Sequence, residues 1–106
     1  MEEHPNLDYI NQLASGNELV EKRLINVLKE EFPQEVLIYN NDMEKLNLTE
    51  AAESVHKIRH KIGLLGLEND YHLSYEYEQN LRDGSIMFKD DFEIVLKKIT
   101  KFITNL

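Results

Sequence analysis

Two histidines, His56 and His60, stand four residues apart in the run Glu53-Ser54-Val55-His56-Lys57-Ile58-Arg59-His60-Lys61-Ile62-Gly63-Leu64-Leu65-Gly66. An imidazole titrates near neutrality, and its neutral form can act as a nucleophile, a proton carrier or a metal ligand. The neighbours decide which of these is open. Three cations, Lys57, Arg59 and Lys61, lie within a turn and a half of His56, in a chain whose net charge is -8. That local reversal of sign asks for an anion. A metal is the competing reading, because His56 and His60 at i,i+4, with Glu53 at i-3, repeat the Glu-x-x-His spacing of di-iron bundles. Such a site needs a second motif of the same kind, and the chain has none.

The element that must carry these residues is a helix. Ala51, Val55, Ile58, Ile62 and Leu65 step by four, three, four and three, which lines them up along one buried stripe. At about 100° per residue, His56, His60 and Gly63 fall well away from that stripe, and Arg59 lies on the shoulder between the two faces. Asn47 is placed to cap the helix, Glu50 stands where a capping box needs it, and Gly66 suits the left-handed backbone past its end. The helix is expected from Leu48 to Leu65.

Around it the chain reads as all-α, since period-two runs of β-branched or aromatic residues are absent and only four Gly and two Pro punctuate it. A short helix is expected over Leu7–Leu13, capped by Asn6, with Leu7, Ile10 and Leu13 buried. A long one starts at the cap Asn17 and runs to about Asp42 or Lys45. It carries Leu19, Leu24, Val27, Leu28, Phe32 and Val36 or Leu37 inward, and Pro33 kinks it without breaking it. A fourth helix follows from Glu68 or Asn69 to Arg82, closed by Asp83-Gly84, and a fifth from about Asp90 to Thr104. Short connections favour antiparallel neighbours. The architecture is therefore an up-down antiparallel four-helix bundle with a short extra N-terminal helix laid across one end, a single domain over residues 1–106.

Composition removes several classes of function. With 42% hydrophobic residues over 106 positions, one core can form. No cysteine is present, so no disulfide or thiolate site exists. No apolar run approaches the roughly 18 residues of a membrane span, and the start, Met1-Glu2-Glu3-His4-Pro5, is acidic where a signal peptide is basic. A soluble cytoplasmic chain is the reading, and the starting Met favours a free-standing protein. A pI near 4.9 argues against nucleic acid, whose phosphates demand clustered cations. Neither a Gly-rich phosphate loop nor a Ser-His-Asp grouping occurs.

In these residues the chain resembles the histidine-containing phosphotransfer (HPt) domains of two-component phosphorelays. Their signature helix reads His, any residue, Leu or similar, Lys, Gly, with a Leu-Gly pair near its end. Here His56 is followed by Ile58 at plus two, Arg59 at plus three and Leu65-Gly66 at plus nine and plus ten. Arg59 replaces the usual Lys and keeps the charge. His60 replaces the usual Gly and adds bulk one turn from His56, while Gly63 opens the surface a turn further on. The resemblance implies that Nε2 of His56 takes a phosphoryl group from a receiver-domain aspartate and passes it to another, so that the chain is a carrier with no kinase activity of its own. Arg59 would hold phosphoryl oxygens with its fork of donors. Lys57 and Lys61 would attract the anion without contacting it. Glu78, 22 residues after His56, stands where the family carries a Gln or Glu that accepts from Nδ1–H, and Arg82 occupies a position that is often basic. Docking would use His60, Gly63 and Leu64. The implied partners are response-regulator receiver domains and a hybrid sensor kinase. No cofactor of the chain's own is implied, Mg²⁺ belonging to the receiver, and a monomer is expected. The rival readings are a helical interaction module that docks without carrying phosphate and, more remotely, a His56/His60 metal site.

Overall fold

The computed structural model describes residues 3–106; Met1 and Glu2, which open the acidic stretch read above, lie outside them. Among the described residues there are five helices and no strand: α1 (Asp8–Ala14), α2 (Glu18–Glu44), α3 (Leu48–Leu64), α4 (Glu68–Arg82) and α5 (Lys89–Thr104). Each helix packs against the next in the chain, and α5 also returns to α2. Helix α3 lies between α2 and α4. Its stripe of Ala51, Val55, Ile58 and Ile62, continued by Leu65, is fully buried. None of the described helices is long and apolar enough to cross a membrane.

Helix α2 runs unbroken through Pro33, an exposed position. At 27 residues it spans about 40 Å at a rise of 1.5 Å per residue, nearly the 44 Å long axis of the molecule. Its buried line is Leu28, Phe32, Tyr39 and Met43. Val36 packs against the core where Val36 or Leu37 is expected; the two leucines that face water are Leu19, expected inward but 74% exposed, and Leu37, 61% exposed. Each lies nine residues from Leu28, which is about half a turn round the helix and therefore its opposite face. Leu13 is likewise exposed, because the two turns of α1 bury only the line of Ile10 and Ala14.

The helix ends obey the expected chemistry in part. The Asn17 side chain accepts from the backbone N–H groups of Leu19 and Val20 at 3.0 and 3.2 Å, and Asn6 Oδ1 accepts from Asp8 N–H at 3.1 Å. Asn47 stands at the start of α3 but makes no side-chain cap, and no capping box forms with Glu50. The backbone N–H that Glu50 would have received from is already given to the Asp42 carbonyl at 2.8 Å, in the turn that closes α2. Past the end of α3, Gly66 takes φ +75°, and an added Cβ would come within 2.9 Å of the Asn6 side chain. The positive φ is what favours glycine at position 66, since the Asn6 side chain is flexible enough to give way.

Beside Gly66, the N-terminal segment is strapped to the bundle. Asn6 N–H donates to the Leu65 carbonyl at 2.9 Å. The Glu3 carboxylate accepts from the first N–H groups of α4, those of Asn69 and Asp70, and Lys98 on α5 reaches both the Glu3 carbonyl and Asp70. In the interior between α2, α4 and α5, the Tyr39 and Tyr77 hydroxyls are 2.7 Å apart and Tyr39 donates to Glu93. Burial, first of all, drives both phenols up, Tyr77 to about 12.

Candidate functional site

His56 sits on the outer face of α3 with 46% of its side chain exposed. One turn later, Arg59 turns inward and is almost completely buried. It is matched by Glu78, which α4 delivers from the other side of the α3–α4 seam. The Arg59 Nη1 to Glu78 Oε1 distance is 2.6 Å, and only 8% and 6% of the two side chains remain exposed. Two tyrosines of α4 flank the guanidinium, with its carbon 5.8 Å from the Tyr71 ring centre and 5.2 Å from that of Tyr75. A buried charge is tolerable only when paired and hydrogen-bonded, and this one has a carboxylate, an imidazole and two aromatic faces.

The imidazole is held from its inner side alone. Nδ1 lies 3.2 Å from Glu78 Oε1 and 2.8 Å from Arg59 Nη2. Among the described residues, Nε2 forms no hydrogen bond. Nδ1 can donate to the carboxylate or accept from the guanidinium, but one proton decides between them. The Nδ1–H tautomer leaves a lone pair on the outward Nε2, and the other tautomer places the proton there. Arg59 and Glu78 therefore compete to set the state of the ring.

The two oxygens of Glu78 divide their partners. Oε1 serves Arg59 and His56, while Oε2 accepts from Arg82 Nε and Nη2 at 3.2 and 2.8 Å. Burial pushes the Glu78 carboxyl up, but hydrogen bonds from Arg82, Arg59 and His56 outweigh it and hold the group below the ordinary carboxylate range. Arg82 is also 3.0 Å from Glu53, so it is more than an i,i+4 partner on one helix face.

The remaining residues singled out in the sequence fall in different places. Lys61 is buried and ion-paired to Glu31 and Glu35 of α2 at 2.7 and 3.0 Å, which corrects its reading as a loose electrostatic attractor. Lys57 is exposed, and among the described residues it makes no salt bridge. His60 is exposed, with its ring centre 5.2 Å from that of His56 and the planes at 66°. Gly63 is half-buried and lines a surface hollow with Tyr9 and Tyr71, whose ring would lie 3.3 Å from an added Cβ. Leu64 is half-buried against the core. The apolar surface bordering the site belongs instead to Tyr71 and Tyr75, both exposed. Helical spacing already sets Tyr71 on the side of α4 that carries Ser74, Glu78 and Arg82, and the i,i+4 step from Tyr71 was the signal that could have added Tyr75.

No group of three metal-ligating side chains gathers among the described residues, and Glu53 is paired with Arg82. The arrangement suits an imidazole acting through an outward nitrogen while the inner one is held by a buried ion pair. The chain matches no protein-family model, no curated protein and no solved structure.

Proposed function

We propose that this chain is a histidine phosphotransfer protein of the HPt type, which receives a phosphoryl group on His56 from a receiver-domain aspartate and returns it to another. The observation that carries the reading is the half-exposed imidazole gripped at Nδ1 by a buried Arg59–Glu78 pair. In the Nδ1–H tautomer the Nε2 lone pair attacks the phosphorus of an aspartyl phosphate. The N–P bond forms as the P–O bond breaks, and the aspartate carboxylate leaves with that electron pair. The ring gains positive charge as it does so, and the Glu78 carboxylate balances that charge without moving. Arg59 holds Glu78 and the ring in place; its fork is turned toward them in this state. The aspartate and its Mg²⁺ belong to the receiver. On this reading α2 to α5 form an up-down antiparallel four-helix bundle, and the protein is a cytoplasmic monomer that serves receivers and a hybrid sensor kinase.

The test is to mix the protein with a receiver domain phosphorylated from a small phosphodonor and Mg²⁺, then locate the label by mass spectrometry without acid. Label is expected on His56, and none on His56→Ala, which keeps the fold because the side chain faces water. A folded protein that binds receivers and takes no label on any histidine would favour the interaction module.

A further inference from the structure

The cations near His56 are, for the most part, turned away from its outer face. Arg59 is engaged with Glu78 and Nδ1, Lys61 with Glu31 and Glu35, and Arg82 with Glu78 and Glu53. Two groups that can be positive are left, Lys57 and His60. Lys57 stands about 100° round the helix from His56, whereas His60, one turn on, is only about 40° away. The two imidazoles meet edge to face at 5.2 Å. A group attached to the outward Nε2 therefore arrives beside the His60 ring.

We propose that His60 is the group that binds the phosphoryl oxygens once His56 is phosphorylated, taking up a proton from solvent as the dianion appears next to it. This rests on the phosphotransfer reading of His56. The charge that a phosphoryl group needs is thus supplied on arrival and released when the group leaves. Other charged and titratable groups around His60 are His56, Lys57 and Arg59 on its own helix, Tyr71 and Tyr75 of α4 on either side of Arg59, and Glu31 and Glu35 of α2, which Lys61 occupies. The carboxylates nearby are already ion-paired, Glu31 and Glu35 with Lys61, Glu53 with Arg82 and Glu78 with Arg59 and Arg82, so the incoming phosphoryl group is the anion without a cation of its own.

The experiment is an NMR titration of the histidine rings in the protein before and after phosphorylation of His56 by phosphoramidate. The midpoint of the His60 ring is expected to rise by about one pH unit on phosphorylation. In equilibrium with a phosphorylated receiver, His60→Gln should lower the share of phosphoryl held on His56 about threefold, and His60→Arg should restore it. The ratio of wild type to His60→Gln should fall as pH rises through the imidazole range, since protonated His60 is what favours the phosphorylated form. A His60 midpoint unchanged by phosphorylation of His56 would overturn the assignment while leaving the carrier intact. Label on His60 would overturn it by exchanging the two roles. Failure of phosphoramidate and of every receiver to label either histidine would remove both this inference and the function it rests on.

Discussion

Helix α3 buries two cations within a single turn, and their fates differ. Arg59 faces α4 and meets Glu78; Lys61 faces α2 and meets Glu31 and Glu35. Both are nearly inaccessible, and both are joined to a neighbouring helix by a charge-assisted hydrogen bond of 2.6 to 2.7 Å. The Arg59 pair also touches an imidazole that reaches water, whereas the Lys61 pair touches only its own carboxylates and leaves Glu35 Oε1 without a partner. The difference lies in geometry more than in charge. A guanidinium presents several donors in one plane and can bridge a carboxylate and a ring nitrogen together, while an ammonium is a point of charge that ties two helices. One pair fixes a half-exposed imidazole, and the other ties α3 to α2.

Removing the anion from each pair should separate them most widely. Glu78→Ala strands Arg59 in the interior, with a cost of about 3–5 kcal/mol in a denaturant titration, and phosphotransfer should be lost along with it. Glu31→Ala leaves Lys61 with Glu35 and an exposed vacancy, and should cost about 1 kcal/mol or less. Equal losses would show that the two pairs do the same structural task.

Replacing the cations should separate function from stability. Arg59→Met is expected to slow transfer from a phosphorylated receiver by about ten- to a hundredfold, in the range of a lost electrostatic or positioning contact. Lys61→Met should leave that rate within about twofold in protein that stays folded, because Lys61 pairs with Glu31 and Glu35 of α2 and not with His56 or Glu78, although stranding the half-buried Glu35 carboxylate lowers stability. A Lys61→Met protein as slow as Arg59→Met would mean that charge anywhere on α3 suffices.

How much of this was legible in the letters follows the same division. The helix, its buried stripe, the outward His56 and the closing Gly66 are local, since each depends on residues a few positions apart on one periodic element. Glu78 came only through resemblance to a known family, because nothing in α4 by itself points to an imidazole on α3. The lean of Arg59 toward the core followed from its place on the helix shoulder, but the burial of Lys61 was not readable, because it waits on carboxylates 26 and 30 residues earlier. The Glu3 cap on α4 is more remote still, at 66 residues. On α2 the inward line of Leu24, Leu28, Phe32 and Val36 was legible, and only Leu19 was misplaced, since it is as apolar as Leu28 but lies on the opposite face.

The ring itself gives a subtler comparison. In wild type, Arg59 Nη2 competes with Glu78 for Nδ1 of His56. Nitrogen-15 shifts of the imidazole should therefore show more of the Nδ1–H tautomer in Arg59→Met than in wild type, and no change in Lys61→Met. An unaltered tautomer in Arg59→Met would mean that the guanidinium does not act on the ring.

The smallest effect should be on pH dependence, where the two pairs fail at opposite ends. Glu78 is held below its ordinary value: burial opposes this, and hydrogen bonds from Arg82, Arg59 and His56 prevail. Its contribution to stability is present above the unfolded carboxylate value, about 4.3, and is lost as pH falls through the lower folded one. Lys61 is held above its ordinary value, burial again opposing and the Glu31 and Glu35 carboxylates prevailing. Its contribution is complete below the unfolded lysine value, about 10.4, and is lost as pH rises through the higher folded one. Thermal midpoints measured across pH should thus show Glu78→Gln with a shallower acid limb than wild type and an unchanged alkaline one, and Lys61→Met with the reverse. If Glu78→Gln flattened the alkaline limb as well, the two pairs would be coupled through α3, and their separation into a positioning pair and a scaffold pair would fail.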